Sequence, residues 1–335
     1  TPVPELVLEA LRALKKRPDS MLGGVLLNSL GNNRKKLELP LKAFNLFRKT
    51  GVYSLLSALG VFRLAGHSWL GRFNQAGFPA RLRFMDELVE DSPVVVKSED
   101  LPAACYYFSA CSTNYFYPGT GLSTLELLNA FVGPVRPLGN GCCGQAAYSR
   151  GLLSDARAAA RAVISRMETL DSQLPVITEC PSCAAFLKNL EQLFLEDPQW
   201  RRKAAAFAVN VKHISEVISP DKFRAKLRVK KQVVAPASKP VKYPRPFEEM
   251  RVTFNDACVA SHRLGLLSAP RKLLEHYFGA RYTEMPESEI CCGGADGYAL
   301  FQPRLARELG RRKAANAAKV QADVIVVSSP VCVAQ

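Results

Sequence analysis

The sequence predicts an α/β fold of two repeated modules, each with a largely parallel sheet, preceded by a helical N-terminal segment. Three observations support this prediction. The cysteines fall into two sets of the same order, the same succession of strand-like and helix-like runs surrounds each set, and residues 1–100 contain no cysteine. Strands that alternate with helices are typical of α/β units, in which ligands gather at the carboxyl ends of parallel strands.

Each cysteine set consists of a lone Cys, then an adjacent Cys-Cys-Gly, then a Pro-flanked cysteine site. The first set is Cys111, Cys142, Cys143, Cys180 and Cys183, and the second is Cys258, Cys291, Cys292 and Cys332. Thiols at matching positions in two copies of one unit are not scattered core residues, so they indicate a metal-thiolate site in each copy. Cys105 belongs to neither set, and its apolar neighbours predict a small buried residue.

The elements around the two sets are predicted in the same order. A β-rich run comes first (104–110 and 250–257), then a helix (123–131 and 269–278) and a short extended piece (135–138 and 282–285). After Cys-Cys-Gly come an Ala- and Arg-rich helix (153–167 and 305–320) and a buried strand (175–178 and 324–327). The repeat therefore covers the elements as well as the cysteines.

Four units follow along the chain. We predict a helical segment over residues 1–100, a first module over 101–226, a Pro-rich linker over 227–247 and a second, degenerate module over 248–335. Residues 3–16 have helical apolar spacing. Residues 39–73 mix apolar and basic side chains, as in helices that rest on a membrane or a partner, although a helix packed on its own protein is the favoured interpretation.

Composition excludes several classes of protein. The chain has 335 residues, of which 48% are hydrophobic, so it can bury real cores without disulfides. No apolar run approaches the roughly 20 residues that cross a bilayer, and no secretory leader is seen. We therefore expect a cytoplasmic protein, with attachment to the inner face of the cell membrane left open. Because the chain opens at Thr1 and stops three residues after Cys332, we expect the natural protein to extend further.

The formal charge of +15 would suit an acidic partner, an anionic membrane surface or nucleic acid. However, the sequence has no helix-turn-helix signature, no zinc-finger spacing and no aromatic RNA-binding motif, so no nucleic-acid partner is expected. A solvated basic surface that balances buried thiolates is the favoured interpretation.

Thiolates are the soft ligands that iron-sulfur clusters and zinc select. Adjacent cysteines do not easily form a relaxed disulfide, because the Cα separation along the chain is about 3.8 Å and disulfides span about 4.4–6.8 Å. They can bind neighbouring irons of one cluster, so an iron-sulfur cluster is the favoured occupant. Two alternatives stay open: a zinc site that uses the two-residue spacing of Cys180 and Cys183, and a redox dithiol formed by the same pair.

The first set resembles the cysteine-rich CCG domain that occurs in heterodisulfide reductase, in the lactate-utilisation iron-sulfur protein and in the iron-sulfur subunit of glycolate oxidase. Thirty residues separate Cys111 from Cys142, and thirty-six separate Cys143 from Cys180, as in that family's pattern. The segments GCCGQAAYSRG, ECPSCAAFLKNL and VVSSPVCVAQ are most similar to the glycolate and lactate proteins. The ferredoxin-like N-terminal segment of glycolate oxidase subunits is absent from this sequence.

The resemblance implies a [4Fe-4S] cluster on the first cysteine set and a second cluster on the other. Ser329 stands where the family has the first cysteine of Cys-x-x-Cys, so the type and presence of the second cluster stay open. It also implies an electron-transfer subunit of an oxidoreductase that acts on glycolate or lactate. Such a subunit has no catalytic residue of its own. Its partners would be a flavoprotein subunit that carries FAD and a downstream acceptor that is membrane-surface or quinone-linked. Disulfide reduction at the first cluster and a zinc-stabilised scaffold are the alternative functions.

Overall fold

The computed structural model describes residues 34–64, 70, 79–90, 102–139, 141–170, 173–218, 246, 249–294 and 298–333. The predicted helix over residues 3–16 and, apart from residue 246, the predicted linker over 227–247 therefore lie outside the described residues.

Within the described part of residues 1–100 the regular structure is helical, as predicted, and residues 79–84 form a loop. The helices are α1 (Arg34–Lys49), α2 (Val52–Ala58), α3 (Val61–Leu64) and α4 (Met85–Glu90). Tyr53 is fully buried, and its ring meets the rings of Phe44 and Phe47 edge-on at centroid distances of 5.8 Å. These aromatic contacts hold α1 against α2.

The first module is built on four parallel strands in the order β2-β1-β3-β4. The strands are β1 (Cys105–Tyr107), β2 (Val135–Pro137), β3 (Val176–Thr178) and β4 (Val211–His213). Six helices connect and follow them: α5 (Cys111–Tyr115), α6 (Pro118–Phe131), α7 (Gln145–Tyr148), α8 (Leu153–Glu168), α9 (Pro181–Leu187) and α10 (Pro198–Ala208). Short 3-10 helices occur at Leu190–Phe194 and Ile214–Glu216.

The sheet has a hydrophobic core on each face, because successive side chains of a strand point to opposite sides. Tyr106 belongs to the core that includes Ile164 of α8, whereas Tyr107 belongs to the core that includes Leu125 of α6. Cys105 lies fully buried in the second of these cores, as its apolar surroundings predict.

The second module repeats the arrangement with fewer strands. Its elements are β5 (Val252–Asn255), α11 (Cys258–Arg263), α12 (Ser268–Phe278), a 3-10 helix (Gly279–Arg281), α13 (Tyr298–Phe301), α14 (Pro303–Lys319), β6 (Val324–Val327) and α15 (Pro330–Val333). Strands β5 and β6 pair in parallel. The extended piece predicted at 282–285 is reduced to one bridge between Tyr282 and Val252, because a turn follows at residues 286–289.

The two modules meet through their cysteine-bearing helices. Helix α9 packs against α11, and α15 packs against α5. Within the part of the chain that the structure describes, no helix is both long and apolar enough to cross a membrane.

Candidate metal centre

The cysteines of the first module follow the carboxyl ends of three adjacent strands. Cys111 begins α5 four residues after β1 ends, and Cys142 and Cys143 lie shortly after β2. Cys180 is the N-cap residue of α9, which follows β3 and carries Cys183 in its first turn. Because the strands are parallel, all three loops meet at the same edge of the sheet.

The five thiols of this edge form an unbroken series of contacts. Cys111 contacts Cys142, which contacts Cys143. Cys143 contacts Cys183, and Cys183 contacts Cys180. All five are free thiols, and all except the half-buried Cys111 are buried. The structure therefore brings together the whole set that the sequence pattern assigned to one site.

These neighbouring thiols compete for protons. Hydrogen bonds from Cys142 and Cys183 lower the pKa of Cys143 to about 6. The contact with Cys111 would lower the pKa of Cys142, but the contact with Cys143 and burial outweigh it and raise that pKa to about 12. The contact with Cys143 also raises the pKa of Cys183 well above its usual value. One thiol thus ionises at its neighbours' expense, whereas a bound cation would deprotonate all its thiol ligands together.

Gly144 gives the Cys-Cys-Gly loop its shape. Its φ of +98° is in the left-handed region, and a Cβ there would lie 3.0 Å from the carbonyl oxygen of Ala156 in α8. Its N–H donates a hydrogen bond to the Cys142 sulfur at 3.4 Å. A larger residue would be strained by its own φ and would push the loop away from α8.

Glu179 connects two of the cysteine loops. Its Oε1 accepts a hydrogen bond from the Ala110 N–H at 3.0 Å, so the residue before Cys180 holds the residue before Cys111. The buried hydroxyls of Tyr107 and Thr113 face this carboxyl group. Burial is the main cause that raises the pKa of Glu179.

A histidine supports the same loop from the other side. His213, at the end of β4, has Nε2 at 3.1 Å from the Glu179 carbonyl oxygen and Nδ1 at 2.8 Å from the Ser215 hydroxyl. Burial lowers the pKa of His213 to about 4, so the ring is neutral at neutral pH. The sequence analysis did not single out Glu179. Its position directly before Cys180 was the available signal.

The second set forms a shorter series of the same kind. Cys258 contacts Cys291, which contacts Cys292, and the Cys292 and Cys332 sulfurs are 2.9 Å apart. The contact with Cys258 is the main cause that lowers the pKa of Cys291, and the contact with Cys292 is the next. The same contact between Cys258 and Cys291 raises the pKa of Cys258. Cys291 is exposed, so this site is more open to solvent than the first.

Two further contacts repeat between the modules. Gly293 has a φ of +82°, and a Cβ there would lie 3.0 Å from Ala306 in α14. Gly144 has the same close contact with Ala156 in the first module. The Ala257 N–H donates to the Ser328 hydroxyl at 3.3 Å, as Ala110 does to Glu179. Ser328 thus matches Glu179, and Ser329 matches Cys180. The buried Ser329 hydroxyl lies beside the Cys332 thiol and, after the contact with Cys292, helps to lower its pKa.

The donor chemistry of these sites fits a polynuclear cluster. Within the described ranges, no group of three or more His, Cys, Asp or Glu side chains is placed to hold a metal ion. The thiols instead form a series, and an iron-sulfur cluster is held by thiolates bound to several irons. The residues that would hold such a cluster are the five cysteines of the first set and the four of the second.

Comparison with known proteins supports the repeat. The model of the cysteine-rich domain family CCG matches residues 105–188 and 252–335. Lactate utilization protein A of Bacillus licheniformis is 29% identical over 220 residues, which are 65% of this chain and 84% of that protein. The probable glycolate oxidase iron-sulfur subunit of Bacillus subtilis is 27% identical over 305 residues, or 87% of this chain, and the match spans only 61% of that relative's length. With both modules matched, the chain belongs to the cysteine-rich CCG domain family.

Proposed function

We propose that this chain is the iron-sulfur subunit of a complex that oxidises a 2-hydroxy acid, glycolate or lactate. It receives electrons from a flavoprotein partner that carries FAD and passes them to a downstream acceptor. The relatives named for lactate utilization and for glycolate oxidase support this assignment. The complex would act in the cytoplasm or at the inner face of the cell membrane.

The contact series of five buried or half-buried thiols is the observation that carries this proposal. Its members come from three separate stretches of the chain, and the fold gathers them at one sheet edge. Bound there, a [4Fe-4S] cluster would accept and release one electron at a time, with a potential set by burial and hydrogen bonds to sulfur. This chain's own residues exclude water from the first site and donate the Gly144 N–H to a ligand sulfur. Substrate would bind to the flavoprotein.

Anaerobic purification followed by iron and sulfide analysis and electron paramagnetic resonance tests the proposal. We expect iron and acid-labile sulfide, with a signal that appears on reduction. Cys142→Ser should remove the iron and signal of the first site, because it interrupts the thiol series between Cys111 and Cys143. Cys105→Ser is the matched control, since Cys105 is also a buried thiol but lies in the core, and it should keep both.

Zinc without iron in the purified protein would contradict the proposal, as would full iron content in the Cys142→Ser variant. Purification of the native complex tests the remaining part. Glycolate or lactate should reduce the cluster, and thereby make the signal appear, only when the flavoprotein is present. Turnover of a disulfide by this chain alone would favour the disulfide-reductase alternative instead.

A further inference from the structure

Lys313 of α14 is a buried cation beside the second thiol site. It is 7% exposed, and in the part of the chain that the structure describes Arg48 of α1 is the one other buried lysine or arginine. Such side chains are seldom buried, because removing a charge from water costs free energy. Among its described residues, the first module has no buried lysine or arginine.

The ammonium group of Lys313 holds the loop that leads to Cys291. Its Nζ donates hydrogen bonds to the Glu287 carbonyl oxygen at 3.0 Å and to the Ser288 carbonyl oxygen. These two residues lie four and three positions before Cys291. The ammonium group is thus fixed next to the Cys-Cys-Gly loop of the second site.

The first module holds the same loop without burying a charge. Arg166 of α8, which is exposed, donates from Nη1 to the carbonyl oxygens of Leu138 and Gly139 at 3.0 Å each. These carbonyls lie four and three positions before Cys142, which is the spacing found in the second module. Because an exposed cation is sufficient for this contact, the contact does not explain why Lys313 is buried.

The position that matches Lys313 in the first module is apolar. Lys313 lies seven residues after Ala306, which contacts the Cys-Cys-Gly loop of its module. Val163 lies seven residues after Ala156, which makes that contact in the first module. Val163 is 3% exposed and belongs to a hydrophobic core. The two sites therefore differ by one buried positive charge as well as by one thiol.

The charge of Lys313 acts on the thiols of the second set. Contacts between the thiols are the main cause that lowers the pKa of Cys291 and of Cys332, and Lys313 is a further cause. Burial lowers the pKa of Lys313, and the charges of Cys292 and Cys332 are the largest causes that act in the opposite direction. Thiolate ligands at this site would therefore keep the side chain as a charged ammonium group.

A fixed positive charge favours the reduced form of a neighbouring redox centre. Reduction adds one negative charge to an iron-sulfur cluster, and the attraction between opposite charges is stronger for a buried cation than for an exposed one. Net charge is among the factors that set the potential of such a cluster. A cluster beside Lys313 should therefore accept an electron more readily than a cluster without such a neighbour.

We propose that Lys313 raises the reduction potential of the cluster held by the second cysteine set, so that an electron entering the chain is held at that site in preference to the first. The inference rests on the proposed function, since it gives the order of the two centres within it. In the transfer between them, one electron leaves the first cluster and one enters the second, and no bond forms or breaks.

Redox titration of two single-site chains tests the order of the potentials. Cys142→Ser leaves the second site and Cys291→Ser leaves the first, because each change interrupts one thiol series. Each chain is titrated anaerobically with mediators, and the electron paramagnetic resonance signal of the reduced cluster is measured at each potential. The second site should have the higher potential by at least a tenfold factor in the equilibrium constant, about 59 mV for one electron.

Neutral replacements of Lys313 test its charge in the Cys142→Ser chain. Lys313→Met should lower the potential of the second site by at least about the same tenfold factor. Lys313→Gln also lacks the charge but keeps a hydrogen-bond donor, and it should lower the potential by a similar amount. Lys313→Arg keeps the charge, so its equilibrium constant should stay within about threefold of that with Lys313.

Arg166→Met in the Cys291→Ser chain is the matched control. It removes the same pair of carbonyl contacts from the first module, but the cation that it removes is exposed and screened by water. Loss of the contacts should lower the free energy of unfolding, as in Lys313→Met, whereas the equilibrium constant for reduction should change by less than about threefold. Denaturant unfolding and iron and sulfide analysis accompany each titration.

Three results would overturn the inference. They are a second-site potential no higher than that of the first site, an unchanged potential in iron-loaded Lys313→Met or Lys313→Gln chains, and an equal shift in the Arg166→Met control. The first comparison leaves Lys313 in place, so it does not depend on the folding of a variant at that position. Chains without iron at either site would refute the proposed function, whereas iron-loaded chains with unshifted potentials would refute only this inference.

Discussion

Glu179 determines how two cysteine loops are spaced, although it is not a candidate ligand. The contact between its carboxylate and the Ala110 N–H joins residues 69 positions apart, directly before Cys180 and Cys111. Groups that orient the ligands of a metal often matter nearly as much as the ligands themselves. The loop geometry therefore depends on a hydrogen-bond acceptor at this position rather than on its charge.

Glu179→Ala should lower the free energy of unfolding by about 1–3 kcal/mol, because the buried Ala110 N–H loses its acceptor. It should also lower the iron content of the first site. Glu179→Gln keeps an acceptor oxygen and should restore most of both quantities, which denaturant unfolding and iron analysis measure. An Ala variant as stable and as iron-rich as the Gln variant would show that the contact is dispensable.

Ser329 is the position at which the two sites differ in donor chemistry. It matches Cys180, is buried, and has its hydroxyl beside the Cys332 thiol. A neutral hydroxyl is a weaker ligand for iron than a thiolate, since soft sulfur ligands select iron-sulfur clusters. The second site therefore has four thiols where the first has five.

Ser329→Cys should increase iron retention at the second site. The comparison is made in a Cys142→Ser background, so that only the second site contributes. The added thiolate should slow iron loss to a chelator severalfold, as followed by absorbance. Identical rates with and without Ser329→Cys would mean that residue 329 does not reach the metal.

The helix after each Cys-Cys-Gly loop positions that loop. Gly144 packs on Ala156 of α8, and Gly293 packs on Ala306 of α14. Both glycines have positive φ, and each lies against the backbone of one alanine. The close approach of loop to helix thus repeats in both modules, which explains why Gly follows the paired cysteines in each.

Gly144→Ala should lower the free energy of unfolding by more than about 1 kcal/mol, because of its φ and the contact with the Ala156 carbonyl. The displaced loop should also lower iron content. Gly119→Ala is the control, since a Cβ at Gly119 in α6 meets nothing within 4 Å. That change should be neutral or stabilising by up to about 1 kcal/mol in denaturant unfolding. Equal stability of both variants would contradict the role of the loop contact.

At the interface between the modules, the helices that carry the cysteines of one thiol site pack against those of the other. Helices α9 and α5 of the first module contact α11 and α15 of the second, and each of these four helices carries a cysteine. A cofactor that binds the folded chain but not the unfolded chain stabilises the fold. Loss of a cluster should therefore destabilise the whole chain and not only the loops that hold the cluster.

Removal of iron by an oxidant and a chelator should lower the melting temperature of the whole chain, with a loss of more than about 3 kcal/mol in unfolding free energy. Differential scanning calorimetry under anaerobic conditions measures it. The Cys142→Ser variant has less cofactor to lose and should show a smaller drop. A melting temperature that is independent of iron would show that the thiol loops fold without their cofactor.

The repeat, most of the elements around each cysteine set and the grouping of the cysteines were readable from the sequence, because periodicity and spacing are local properties. Strand β4 and helix α10, which complete the first module, were not predicted. The rule that parallel strands share one edge was enough to predict that Cys111 and Cys183 lie at the same edge of the sheet. Tertiary structure alone decided the rest. The Ala110–Glu179 contact and its counterpart between Ala257 and Ser328 each depend on how distant segments pack, and no local pattern records that. The extended piece at 282–285 shows the same limit, since a single bridge to Val252 and the turn that follows determined its length.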